Sequence, residues 1–295
     1  MTTDCAVCGA TSLRPKLEKD GIEILECRSC GLAFWVPDPD FRPESLYAAD
    51  YFEGTGRGHG YGDYGSLEVA LRANFSKRLG SAALRPGARL LDLGAAFGFG
   101  VSEAARAGFG AFGLELSRSA ARRAAVAAPG AIVAADALRL PFGTASLEIV
   151  TLWDVLEHLP DPAAVLGEIA RVLVPDGRLL LTTGDVGSLA ARILGARWHL
   201  YTLPEHLFFF SRRSLRVLLE GAGFEIERMR AEFSVYPLGY VVERLRRTLL
   251  GRATAVPTWP GARLRVPLNL LDIVTVHAVK RGPRAEEAEA EEGAS

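Results

Sequence analysis

The stretch LLDLGAAFGFG, Leu90 to Gly100, decides how the rest of the chain reads. An apolar run ends in Asp92-Leu93-Gly94, and glycines then carry the chain into a helical pattern. In α/β proteins that order of strand, turn and helix brings main-chain N–H groups close to a nucleotide. From Arg89 onward the alternation continues. Strands are expected at RLLDLG, AFGLEL, AIVAA, LEIVTLW and GRLLLTTG, and helices near Gly98, Ser117, Asp161 or Pro162, and Ser211. EIERMRAEF and LDIVTVHAVKR add two late strands. The fold class is therefore α/β, a sheet covered by helices on both faces that binds its ligand at the carboxyl ends of the strands.

Upstream lies a different kind of sequence. All four cysteines of the 295-residue chain fall in its first 30 positions, as Cys5-x-x-Cys8-Gly9 and Cys27-x-x-Cys30-Gly31. Two such knuckles suit a closed, structural zinc site with four thiolate ligands; disulfides are the competing reading. GIEILECRSC supplies one arm of a small β-ribbon, and PDPDFRP, residues 37–43, ends this unit near residue 42. Residues 43–84 follow, and in them the stretch LYAADYFEGTGRGHGYGDYGS, residues 46–66, holds six glycines interleaved with Tyr51, Phe52, Tyr61 and Tyr64, which read either as a linker or as a flap that closes on a ligand. They end in an expected helix, SLEVALRANFSKRL, capped by Ser66, with positions 67, 71, 75 and 79 on one face.

The main domain is expected over residues 85–282, with an insert at about 233–268 that contains the amphipathic stretch YVVERLRRTLLGR. That stretch belongs either on the substrate side or, through the arginines of residues 240–252, in peripheral contact with a membrane surface. Residues 283–295, acidic and without large apolar side chains, are expected to be disordered. Lys plus Arg number 34 against 35 Asp plus Glu, so no global charge draws the chain to nucleic acid. With no secretory pattern at the N-terminus and no run of 18 apolar residues, a soluble, cytoplasmic protein is expected.

The glycine loop is not a dinucleotide fingerprint, because Ala95, Ala96 and Phe97 separate Gly94 from Gly98. Asp92-x-Gly94-x-Ala96-x-Gly98 instead resembles the first motif of class I S-adenosylmethionine (SAM) dependent methyltransferases, with alanine at the middle glycine. ADALRLPF and TLWDVLEHLPDPAAVLGEIARVLVPDGRLLLTT resemble the later motifs of the small-molecule members, so the likeness spans roughly residues 85–232. The resemblance implies a seven-stranded, Rossmann-like sheet whose last strand is antiparallel. It implies a SAM site made by Asp92, Gly94, Ala95, Gly98, Glu115, Leu116, Asp136, Ala137 and Trp153. In that site the loop seats the methionine part, Glu115 the ribose, and Asp136 with the Ala137 amide the adenine. Trp153 and Asp154 then floor the site near the methyl group.

Methyl transfer to a hydroxyl or carbon acid needs a base, and histidine titrates near neutrality. His206, with Glu205 beside it, follows the fifth strand on the substrate-facing connection and is the first candidate; the pair could equally serve to orient the chain into the next helix. His158 is the second. Asp154, Glu157 and His158 also resemble the cluster that binds a divalent ion in ubiquinone-biosynthesis O-methyltransferases, although DVLEH recurs in enzymes without that ion. Trp198, Tyr201, Phe208 and Phe209 are expected to wall the acceptor site, with Phe210, the third of the run, better placed in the core. The leading function is O- or C-methylation of a small-molecule acceptor, such as a sugar or phenol. RNA methylation with the ribbon as RNA-binding module is the alternative, although residues 1–42 carry five basic against seven acidic side chains. A non-catalytic SAM-binding interaction protein is the third reading.

Overall fold

The computed structural model describes residues 4–42, 46, 64–82, 84–250 and 259–282. The glycine-rich flap up to residue 63 and the acidic tail lie outside them.

Strands β4 (Arg89–Leu93), β5 (Gly110–Glu115), β6 (Ile132–Ala134), β7 (Leu147–Trp153) and β8 (Leu173–Gly184) form the parallel part of the central sheet. β4, β7 and β8 read as near-continuous apolar runs because helices cover both of their faces, burying Leu91, Val150 and Leu181 completely. Two later strands, β10 (Phe224–Ala231) and β13 (Ile273–Lys280), complete a seven-stranded sheet of order β10-β13-β8-β7-β4-β5-β6. β13 runs antiparallel to both neighbours, as expected. The chain turns from β4 toward β5 and β6 on one side and later fills β7 and β8 on the other, so the switch point falls between β4 and β7. Gly94 and Asp154 leave the sheet side by side there.

Local signals start the helices. Gly98 caps α2 (Phe99–Arg106), Ser117 precedes α3 (Arg118–Ala127), and the Asp161 carboxylate accepts from Ala164 N at 2.9 Å to cap α4 (Pro162–Val172). One expectation fails: α1 (Glu68–Gly80) is not capped by Ser66. The chain enters it through a 3-10 turn, Tyr64–Leu67, which leaves Leu67 at the cap position and places Ser66 inside the coil.

The N-terminal unit joins this sheet domain more closely than its sequence boundary suggests. β1 (Leu13–Lys19), β2 (Ile22–Cys27) and β3 (Ala33–Phe34) form an antiparallel sheet whose fourth strand, β9 (Phe208–Phe209), comes from the far half of the chain. Trp35 Nε1 donates to the His206 carbonyl at 2.9 Å, and Ser211 Oγ to the Cys30 carbonyl at 3.2 Å. Ile24, Leu32, Phe208, Phe210 and Leu215 share one core. This packing overturns the expected acceptor wall: Trp198, Tyr201, Phe208 and Phe209 are buried in that core, where Phe210 alone was expected. Ser211 also closes a capping box on α6 (Arg212–Gly221) with Ser214. Ser211→Ala removes both functions, and urea denaturation is expected to show a loss of about 1 to 2 kcal/mol with an unchanged m-value.

Between β10 and β13 stand β11 (Ser234–Pro237), α7 (Leu238–Leu250) and β12 (Arg265–Leu268), with β11 and β12 paired antiparallel. The helix was legible in the sequence. The ribbon was not, because SVYP and RVPL are four residues long and each contains a proline. α5 (Leu189–Leu194) follows β8.

Candidate active site

At the end of β4 the backbone is left-handed at Gly94 (φ +77°), Ala96 (φ +47°) and Gly98 (φ +75°). A Cβ on Gly94 would stand 2.5 Å from Val155 Cγ2, and one on Gly100 would run into the Asp92 carboxylate. Glycine at these positions lets the loop pack directly against Val155 and the Asp92 carboxylate. Ala96 adopts its conformation at a cost of about 1 kcal/mol. Glu115 offsets it: its carboxylate, at the end of β5, accepts from Ala96 N and from Ser117 N, both at 2.8 Å. Burial raises the Glu115 pKa, and the amides of Ser117, Ala96 and Leu116 pull against it. Leu116 is exposed just beyond, while at the end of β6 the exposed Asp136 accepts from Leu138 N at 3.0 Å and Ala137 is buried beside it. Glu115 pairs with Ala134 across β5 and β6, so these expected ribose and adenine contacts share one edge.

Asp92 is buried beneath the loop and accepts from Thr151 Oγ1 at 2.7 Å. Burial, aided by the Glu115 charge, pushes its pKa up to about 7. Unfolded, the carboxyl titrates at about 4, so between the two values the folded chain holds the extra proton. Relative to Asp92→Asn, the wild type is expected to lose stability as pH rises from about 4 to about 7 and to change little beyond, as urea midpoints at pH 5 and 8 would show.

A cavity of about 490 Å³ opens next to this cleft. Trp153 and Asp154 line it at the end of β7, as expected, with Asp154 left-handed at φ +57° where the strand stops. α1 contributes Leu71, Phe75 and Arg78; α7 contributes Tyr240, Val241, Arg244 and Leu245; His158, His199 and His206 also line it. The His158 and His206 rings meet edge to face, 4.6 Å apart at 84°. His158 Nδ1 lies 3.1 Å from the Glu205 carbonyl, where its N–H can donate, leaving Nε2 as the acceptor nitrogen. Burial lowers the His158 pKa to about 4 and that of His206 well below the usual imidazole value, which keeps both rings neutral at pH 7. Glu157, buried and accepting from Thr183 Oγ1 at 3.0 Å, is pushed up to about 8 by burial and by the charge of Asp154.

Two expectations change here. Glu205 does not line the cavity; its side chain is buried, and its carbonyl orients His158. The ion-binding cluster expected from Asp154, Glu157 and His158 also has a different membership. Among the described residues, Glu157, His158 and His206 bring ligand atoms within 4.8 Å of one another, because the turn Leu156–His158 packs against the loop that carries His206.

Sequence reasoning missed Arg78 as a site residue and named Tyr64 only among the aromatics of the linker or flap. Arg78 is buried with its guanidinium 5.3 Å from the Trp153 ring centre and donates to Ser234 Oγ at 3.3 Å; no carboxylate among the described residues pairs with it. Its position three after Phe75, on the apolar face of α1, was the available signal. Tyr64 stacks on Phe99 at 5.7 Å and joins the glycine loop to the cavity.

In the N-terminal unit, Cys5 and Cys30 Sγ lie 3.6 Å apart, as do Cys8 and Cys27 Sγ, and all four sulfurs fall within 4.8 Å. None is in a disulfide. Tetrahedral bonds of about 2.3 Å from one metal would set sulfurs about 3.8 Å apart. Gly9 and Gly31 take the left-handed twist expected of each knuckle, at φ +66° and +76°. Burial disfavours the Cys27 thiolate, yet the amides of Cys30 and Ser29 and the Cys8 thiol outweigh it and hold the pKa at about 7.

This strand order, with a left-handed glycine loop at its switch point, defines the class: a Rossmann-like SAM-dependent methyltransferase. The methyltransferase domain family matches residues 67–228, more than half of the chain, and the chain belongs to that family. A ubiquinone biosynthesis O-methyltransferase of Ralstonia nicotianae is 32% identical over 165 residues, which span 51% of this chain and 68% of the relative. The 27-O-demethylrifamycin SV methyltransferase of Amycolatopsis mediterranei is 36% identical over 142 residues, 45% of this chain and 52% of the relative. Among solved structures, magnesium protoporphyrin IX methyltransferase of Synechocystis, with bound S-adenosylhomocysteine, shares the fold at a TM-score of 0.51 and 18% identity, covering 80% of this chain and 97% of that one.

Proposed function

We propose that the protein transfers a methyl group from SAM to a hydroxyl of a small-molecule acceptor held in the 490 Å³ cavity, with His206 as general base. The observation that carries this reading is the pair of neutral imidazoles that line the cavity together with Trp153 and Asp154 at the end of β7. The names of the two relatives, both O-methyltransferases by description or by the position methylated, support a hydroxyl acceptor. The cofactor, when bound, supplies an electrophilic methyl group, so the protein must align the acceptor and remove its proton. Glu115, Asp136 and the backbone of Gly94 to Gly98 would hold the cofactor. His206 would take the proton from the acceptor hydroxyl, and His158, fixed by the Glu205 carbonyl, packs against its ring and orients it. The apolar walls keep water from competing for the methyl group. The four cysteines hold a structural zinc that keeps the ribbon, and through Trp35 the His206 loop, in place.

The test is transfer of labelled methyl from SAM to a panel of dihydroxyphenols and hydroxylated sugars. His206→Asn is expected to lower kcat about 100-fold or more while S-adenosylhomocysteine affinity stays unchanged. A variant with wild-type kcat would remove His206 from the role of base. Tight SAM binding with no methyl accepted by any compound would sink the catalytic reading.

A further inference from the structure

We propose that residues 233–250 and 259–271, which supply one wall of the acceptor cavity, form a docking surface for an anionic lipid bilayer. The first support is charge. The chain as a whole has a net charge of -1, yet these two stretches hold five arginines, at 244, 246, 247, 263 and 265, against one acid, Glu243, which is buried. Arg246, Arg263 and Arg265 are exposed, and no carboxylate among the described residues pairs with them.

The second support is where the exposed apolar side chains lie. Phe233, Leu245, Trp259, Leu264, Leu270 and Leu271 are all open to solvent, Leu264 to 63% and Phe233 to 58%. Phe233 and Trp259 are the exposed large aromatic side chains among the described residues, and both belong to these stretches. Strand pairing gathers them. Ser234 opposes Leu268, which brings Phe233 to the end of the ribbon where Leu270 and Leu271 follow. At the other end Leu238 N donates to the Leu264 carbonyl at 2.8 Å, and Trp259 and Leu264 flank Gly261. Aromatic and leucine side chains beside unpaired arginines are the composition of an interfacial surface, whose apolar groups enter the acyl boundary while the cations meet anionic headgroups. No helix among the described residues is long and apolar enough to cross the membrane, so the contact is peripheral.

Leu245 and Leu270 have a second place in the structure: both are exposed and both line the acceptor cavity. The rim of the cavity therefore lies within the docking surface. An amphiphilic acceptor resident in the bilayer would enter there without crossing water. This consequence for the acceptor rests on the functional reading above; the docking itself does not.

The experiment is flotation of the full chain with vesicles of phosphatidylcholine alone and of phosphatidylcholine mixed with phosphatidylglycerol, at low and high salt. It needs no acceptor and no turnover, so its failure and that of the methyltransferase reading are separable. The wild type is expected to float with the anionic vesicles at low salt, about tenfold or more above its binding to neutral ones, and to be released by high salt. Arg263→Glu with Arg265→Glu is expected to abolish flotation. Leu264→Asp with Leu271→Asp is expected to reduce it about tenfold even at low salt. These four side chains lie outside the cavity wall, so unchanged S-adenosylhomocysteine affinity and melting temperature show that both variants fold. Wild-type protein that stays out of the anionic vesicle fraction overturns the proposal. So does flotation that neither double variant alters, or a stable dimer that both variants dissociate, which would make this face a contact between two copies of the chain.

Discussion

Cys30→Ser is expected to remove bound zinc and to lower the melting temperature by ten degrees or more, on the order of a loss of several kcal/mol. The size follows from two comparisons. Structural zinc contributes about 10 to 16 kcal/mol of apparent binding energy in small four-ligand sites, which rivals the whole net stability of a folded domain, about 5 to 15 kcal/mol. The ribbon is also not a detachable appendage here. β3 lies between β2 and β9, Ser211 bonds the Cys30 carbonyl, and Trp35 bonds the His206 carbonyl. Loss of the centre should therefore reach the loop that carries His206, and methyl transfer should fall with stability. Metal content by elemental analysis, about one zinc per chain in the wild type and none in the variant, checks the cause; a calorimetric melt checks the effect. A wild type that carries no zinc, with a melt that neither chelator nor Cys30→Ser moves, would refute the assignment.

Glu115→Ala is expected to weaken S-adenosylhomocysteine binding by about 1000-fold, enough to abolish it in an ordinary titration. Its carboxylate already braces the strained Ala96 turn and the Ser117 amide. A carboxylate has lone pairs enough to accept from two ribose hydroxyls as well, and each hydrogen bond to a charged group contributes about 1.5 to 3 kcal/mol. Removal of the side chain loses the ligand contacts and frees the loop together. Glu115→Gln keeps one acceptor oxygen and should fall between the two. Calorimetric titration of all three proteins measures the series, and wild-type affinity in the alanine variant would move the ribose site elsewhere.

The parts of this protein that were readable from the sequence are those encoded by neighbours in the chain. The run Leu90 to Gly100 fixes a strand, a left-handed turn and a helix start within eleven residues, because only glycine avoids the clash with Val155 at position 94 and with the Asp92 carboxylate at position 100. Alternation of apolar strands and amphipathic helices determined the parallel sheet, the antiparallel sense of the last strand followed from the family resemblance, and the spacing of the two Cys-x-x-Cys-Gly knuckles determined the cysteine cluster. The pairing of β3 with β9, the burial of Trp198, Phe208 and Phe209, the replacement of Asp154 by His206 in the histidine cluster and the place of Arg78 beneath Trp153 were decided by tertiary structure alone. The physical reason is shared: Phe34 and Phe208, or Arg78 and Trp153, meet because two elements are pressed together by burial of surfaces far apart in the chain, and no local periodicity encodes which surface of one will cover the other.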